Sequence, residues 1–417
     1  MERRLGLTRR TMSSSQTSLR PAGGHRRVPE LDGLRGVAIL MVMFYHFKIY
    51  GSGWDFPARH ALYNACNFGW AGVDVFFVLS GFLITGILFD ARHNALYYRV
   101  FYARRTLRIF PLYYASLAIA FFVIPALLMH WGLSGPVEDL RRTPQLPAWC
   151  YVQNWTAALP AAVPVSALIS HFWSLCVEEQ FYVVWPFCVR RLGRGGRILF
   201  FAGCLVLLAP LFRWLFHRAD MPVAAEAFTV CRMDALALGA LLAVGMRCDK
   251  AWARIRAAVP WVALLAGAGL LGVMRATGSV RFSNRLMNTA GLSCIDLLAA
   301  AALVVLVAGR EGAWYTRLAR SAPLRFFGKY SYALYVFHQP AIYIMASAGL
   351  TGAALHARFH NFGAAIALEN LAGFSVSIVL ALMSWNLLEK HCLKLKDKVG
   401  PEPAAIKRGG QTVQAGI

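Results

Sequence analysis

Charge is scarce in this 417-residue sequence: Asp, Glu, Lys and Arg make up 15% of it, and only 20 residues are acidic. A soluble globular chain carries about 25% charged residues, whereas here 58% of the residues are hydrophobic. The deficit excludes an ordinary soluble domain and points to lipid as the solvent. Paired cysteines are missing too. The nine cysteines are scattered with no C-x-x-C, so neither a zinc ribbon nor a dithiol redox motif is on offer, and no metal site is expected. Cys176, Cys188, Cys204, Cys231 and Cys294 fall in apolar segments as small hydrophobes. Cys66 and Cys150 lie in loops assigned to one face, where a disulfide is an option. A P-loop, a G-x-S-x-G elbow, an H-E-x-x-H pair and a dinucleotide fingerprint are all absent, which leaves an ATPase, a serine hydrolase and a zinc protease without support. Residues 1–30 are polar, Ser-rich and basic and lack the apolar core and cleavage site of a secretory signal. They read as a disordered cytoplasmic tail.

What is present is a series of ten apolar blocks, near 33–50, 71–89, 109–129, 172–190, 198–216, 227–246, 258–274, 288–308, 328–349 and 363–388. Each reaches, or nearly reaches, the ~20 residues that span a bilayer. Of the 43 Lys and Arg residues, 32 fall in one alternating set of connections, 8 in the other and three inside the blocks. By the positive-inside rule both termini are cytoplasmic, which requires an even number of spans. The net charge of +23 is thus topological and calls for no nucleic acid. The expected fold is an all-α polytopic membrane bundle of ten helices over residues 31–390, with a cytoplasmic tail over 391–417. No internal repeat suggests an inverted-repeat transporter. The Pro-rich stretch 130–171 is expected to cover the outer mouth.

Titratable groups inside the apolar blocks default to a functional reading. Arg35 and His46 lie in the first block, eleven residues apart. On a helix that spacing puts both on one face, ~16 Å apart along the axis. Arg105 and Arg108 share one side of the third helix, with Arg104 adjacent. Two guanidinium forks on one turn suit a di- or triphosphate, and they equally suit lipid headgroups at a positive-inside boundary. Glu178 and Glu179 interrupt the fourth block. They sit about 100° apart around the helix, so one faces the interior squarely. A carboxylate beside His46 orients an imidazole and raises its basicity; the other reading is a buried ion pair with Arg232. Asp74, Arg232, Asp234 and His338 either line an acceptor site or bridge helices. Ser80-Gly81 in mid-helix reads as a packing contact.

Taken in order, RVPELDGLRGVAIL with Arg35 and His46, GVDVFFVLSGFLIT, RRTLRIFPLYY, FWSLCVEEQFYVVWP and GKYSYALYVFHQP span about 300 residues. In these motifs the chain resembles the acyltransferase family 3 membrane proteins, bacterial O-acyltransferases that modify surface glycans and some metabolites. The resemblance implies ten or more helices in the bacterial inner membrane, an acyl-CoA donor (acetyl-CoA above all) and a hydroxyl acceptor on a glycan or related molecule, with no bound cofactor. It makes Arg35 and His46 catalytic and Arg105 and Arg108 donor-binding, and it places Glu178 at the family's carboxylate. Some members carry an added esterase-like domain, which the 28 residues after Glu389 are too few to form. His46 serves in this reading as general base or transient acyl carrier. The alternative from another class is a transporter or flippase that uses the buried His, Glu and Arg as a proton relay. Acceptor identity and oligomeric state stay open.

Overall fold

The computed structural model describes residues 26–47, 65–130, 135–156, 158, 165–310, 312–399, 406–408 and 411–414. Each of the ten apolar blocks contains a helix among the described residues. They form α1 (Pro29–Phe47), α2 (Gly72–Ala91), α3 (Tyr97–Ala118), α4 (Trp173–Leu192), α5 (Gly195–Arg218), α6 (Met233–Gly245), α7 (Asp249–Thr277), α8 (Leu292–Ala308), α9 (Ser331–Ser347) and α10 (Phe362–Ser384). Among the described residues, six helices are long and apolar enough to cross a membrane: Ala65–Ala91, Tyr97–Leu127, Gly195–Arg218, Asp249–Thr277, Met287–Ala308 and Phe362–Lys394. The chain is a multi-pass integral membrane protein. The bundle's other helices, α1, α4, α6 and α9, fall short because they are brief or interrupted by polar side chains. Those side chains include Arg35, His46, Glu178, Glu179 and His338.

Local chemistry sets the ends. Pro29 opens α1, and Glu30 and Asp32 in its first turn complement the helix dipole. Gly193, with φ 65°, closes α4 in the left-handed region that a side chain resists. The Asn361 side chain accepts from the Ala364 amide at 3.0 Å to cap α10. A π-helical turn over Ile119–Val123 joins α3 to the helix Ile124–His130.

The close pair at the centre is α2 against α6. A Cβ added to Gly81 would collide with the Leu236 carbonyl, and one added to Gly239 with the Val78 carbonyl. Gly81 is therefore the packing contact expected, whereas Ser80 turns instead to a buried carboxylate, Glu178. Large apolar side chains face outward on α5, where Phe200 and Leu207 are each 76% exposed, as a lipid-facing helix requires.

The stretch expected to cover one mouth folds as short helices Gly135–Arg142, Gln145–Trp149, Gln153–Thr156 and Ala167–Ser170. Hydroxyls of α3 hold it, Tyr113 donating to the Ala148 carbonyl at 2.7 Å and Tyr114 to the Trp149 carbonyl at 3.2 Å. Cys150 in this cap is an exposed free thiol, so the Cys66–Cys150 bridge is not formed. Strands β1 (Arg26–Arg27), β2 (Ile406–Arg408) and β3 (Gln411–Gln414) make a small sheet in the order β1-β3-β2, with Arg26 opposite Val413. Most of the expected N-terminal tail, and Lys48, lie outside the described residues.

Candidate active site

Two chambers open inside the bundle. The first, about 840 Å³, is lined by Arg35 from α1, Arg105 and Arg108 from α3, and Glu178 and Glu179 from α4. Ser80, Tyr182 and Tyr332 complete its polar wall. Arg35 and Arg105 lie in the N-terminal halves of α1 and α3 and Arg108 at the middle of α3, whose first turn packs against Arg190, so this side of the bundle is the arginine-rich one. The Arg105 guanidinium stands 5.5 Å from the centre of the Tyr182 ring. Arg104 does not reach this chamber; it lines a neighbouring cavity, of about 420 Å³, that Arg105 shares.

The second chamber, about 760 Å³, lies toward the opposite end of α1. His46, His171, Glu226 and Arg232 line it, with Trp70, Trp173, Tyr45 and Phe282 as its aromatic walls. The His46 Nδ1 lies 2.8 Å from the Val42 carbonyl oxygen, which can only accept, so Nδ1 carries the proton and Nε2 is the basic nitrogen of the neutral ring. His338 is fully buried behind it, the two ring centres 4.6 Å apart, and its own Nδ1 donates to the Tyr335 carbonyl at 2.7 Å. His171 lies 4.8 Å from His338 on the far side. Neither ring nitrogen of His171 makes a hydrogen bond. Burial pushes its pKa down to about 3, with His46 adding to the effect. The nearby carbonyls of Val336 and Tyr335 pull the other way; Pro340 supplies no amide hydrogen to bond the Val336 carbonyl. Glu226 rides on the short helix Pro222–Ala227, pinned where Asn154 donates to the Ala227 carbonyl at 3.0 Å. Burial raises the Glu226 carboxyl to about 7, against the pull of Arg232.

The chambers abut. Val73 and Tyr335 line both. The Tyr335 hydroxyl is fixed 2.9 Å from the His171 carbonyl and 2.5 Å from the Ser174 hydroxyl.

Arg35 and His46 thus share a helix and face different chambers. Glu178 lines the arginine chamber and accepts from Ser80 Oγ at 2.6 Å, whereas the aromatic neighbours of His46 are Tyr45 and His338. Asp74 and Arg232 form a buried ion pair at 2.9 Å. Asp234 takes Arg213 in a fork, at 3.0 and 2.6 Å, and lines neither chamber. The ion pair considered between the α4 carboxylates and Arg232 is not made, because Arg232 points to Asp74. Sequence reasoning missed His171, Glu226 and Tyr335. His171 immediately precedes the quoted motif FWSLCVEEQFYVVWP and Tyr335 stands inside GKYSYALYVFHQP; Glu226, at the edge of an apolar block, gave no signal. Among the described residues no group of His, Cys, Asp and Glu has the arrangement of a metal site.

Fold and site together define a multi-pass helical membrane protein with a cationic chamber set against an imidazole-lined one. The family profile described as "Acyltransferase domain" matches residues 28–385, and the chain belongs to that family, acyltransferase family 3. YrhL of Bacillus subtilis strain 168, whose name assigns it provisionally to peptidoglycan O-acetylation, is 26% identical over 381 residues, 88% of this chain and 55% of its own. The peptidoglycan O-acetyltransferase OatA of Listeria monocytogenes is 26% identical over 333 residues, 76% of this chain and 49% of its own. The O-acetyltransferase OatA of Staphylococcus aureus is 25% identical over 343 residues, 77% of this chain and 52% of its own. The chain spans about half the length of the curated relatives it matches. No protein of solved structure matches it.

Proposed function

We propose that this chain is a membrane O-acyltransferase that moves an acyl group, acetyl in the first instance, from acyl-CoA to a hydroxyl of a cell-surface glycan. The observation that carries the reading is the pair of abutting chambers, one holding three arginines and the other a basic imidazole. The names of the relatives support a cell-wall glycan as acceptor. The 32-to-8 division of basic residues supports a reading of ten spans with the arginine-rich end in the cytoplasm.

In this reading Arg35, Arg105 and Arg108 hold the phosphates of the donor. The pantetheine arm reaches along α1, whose Arg35-to-His46 rise is ~16 Å, and brings the thioester to the wall at Tyr335 and Val73. His46 Nε2 takes the proton of the acceptor hydroxyl as its oxygen attacks the thioester carbonyl. The C–S bond breaks, the thiolate takes that proton back from the imidazolium, and an ester and a free thiol result. With His46 as acyl carrier, Nε2 itself attacks the carbonyl and expels the thiolate; the acceptor hydroxyl then displaces the imidazole from the acyl group, and its proton goes to the thiolate. Glu178, bonded to Ser80, acts on the donor side.

Purified protein given acetyl-CoA and a soluble glycan reads the proposal as thiol release and ester formation. His46→Ala should lose about 10²–10⁴-fold in transfer rate while acetyl-CoA still binds. Arg105→Ala with Arg108→Ala should weaken acetyl-CoA binding by about 100-fold, the scale of two charged hydrogen bonds. Undiminished transfer by the His46 variant, or an unchanged donor Kd in the double variant, removes the corresponding role.

A further inference from the structure

We infer that the second chamber is a neutral sugar pocket in which His171 and Glu226, on separate walls, read the hydroxyls of one glycosyl unit of the acceptor. The inference rests on the transfer reading above and deepens its acceptor side.

Three observations carry it. First, His171 is poorly satisfied: 4% exposed and lining the chamber, it has the Val336 and Tyr335 carbonyls nearby but neither ring nitrogen in good hydrogen-bond geometry with a partner. A buried polar group without a good partner is destabilising and persists where a ligand supplies the bond. Second, the walls are aromatic. Trp70 is held by its indole nitrogen donating to the Val280 carbonyl at 2.9 Å, and Trp173 stacks its ring 5.2 Å from the Arg232 guanidinium. Fixed ring faces beside a few convergent polar groups suit the apolar faces and rim hydroxyls of a pyranose ring. Third, the charges nearly cancel. Arg232 is already neutralised by Asp74 at 2.9 Å, which leaves Glu226 as the unmatched carboxyl. The first chamber, with Arg35, Arg105 and Arg108, is the opposite case. The two chambers therefore sort ligands by charge, the polyanionic donor to one and a neutral hydroxylated acceptor to the other.

The chemistry assigns one hydroxyl to each reader. Glu226 as a carboxylate only accepts, so it takes hydroxyl protons. His171 can donate from one nitrogen or accept at the other, and its neighbour across His338 is His46. A ring held between Glu226 and His171 presents a remaining hydroxyl to His46 Nε2.

The test uses the full chain in detergent with penta-N-acetylchitopentaose, a neutral glycan, in two arms. The binding arm needs no donor: titration of the glycan is followed by tryptophan fluorescence, for which Trp70 and Trp173 are placed as reporters. The turnover arm measures KM for the glycan and for acetyl-CoA separately. Glu226→Gln and His171→Gln should each raise the glycan Kd and KM by about 10-fold, the scale of one buried hydrogen bond, with the acetyl-CoA KM unchanged. Glu226→Gln, on a half-buried side chain, guards against a folding defect at His171. Wild-type glycan affinity in both variants overturns the inference even if the wild type transfers acetyl. Glycan binding that both variants weaken, in a protein that transfers nothing, sustains the pocket and instead removes the transfer reading. Equal losses of glycan and acetyl-CoA affinity also overturn it, since those report general damage.

Discussion

At the scale of single residues, the buried guanidiniums of Arg213 and Arg232 are paired with carboxylates across helices. Arg213 is fully buried and spends its guanidinium on Asp234, the Cys231 carbonyl at 2.6 Å and Ser293 Oγ at 2.7 Å. Removing one member of such a pair strands the other in an apolar interior, which costs about 3–5 kcal/mol. Asp234→Ala should therefore lower the melting temperature in detergent sharply, while Asp234→Asn, which still accepts one hydrogen bond, loses less. A melting curve that does not move for Asp234→Ala contradicts this account. The sequence showed which residues were out of place in lipid, and Arg35, Arg105, Arg108 and Glu178 do gather in one chamber. It did not show who pairs with whom. Arg232 and Asp234 are two positions apart, so on a helix they point about 200° from each other. Each finds its partner on another element, Asp74 and Arg213, which only the packed bundle decides. Likewise the carboxylate assigned to His46 turned to Ser80, and an unsuspected imidazole took the place beside the histidines.

At the scale of elements, apolar length and a polar break between blocks located all ten helices. The hydrophobic signal was weakest where the chambers are, because the side chains that line them displace apolar ones on α1, α4 and α9. The cap between α3 and α4 was legible only as a Pro-rich stretch; its short helices depend on tertiary hydrogen bonds such as Gln153 Nε2 to the Ile169 carbonyl at 2.8 Å. The α2–α6 crossing has one evident weakness. Gly81→Leu drives a side chain into the Leu236 backbone, where nothing flexible can yield, and should abolish recovery of folded protein. Gly196→Ala has nothing within 4 Å of the new Cβ and should keep stability within about 0.5 kcal/mol of the parent. Size-exclusion profiles of the two variants check this; equal yields mean that the helices do not pack through glycine.

At the scale of the whole molecule, ten spans with the arginine-rich end inside require both termini to answer as cytoplasmic. Reporters active only in the cytoplasm should light up when fused at either terminus and stay dark in the 278–286 connection between α7 and α8. A dark terminal reporter sinks the ten-span topology. The partition made by Val73 and Tyr335 then has a consequence of its own. In the proposed transfer, exchange of a bond at this shared wall would relocate two carbons over the permeability barrier, while the bulky nucleotide and the polymer each stay in their own compartment. The spent thiol would be left at the wall, its nucleotide still among the arginines. Export of the modification would then need no rocking halves and no open channel, so ion tightness and turnover need not compete.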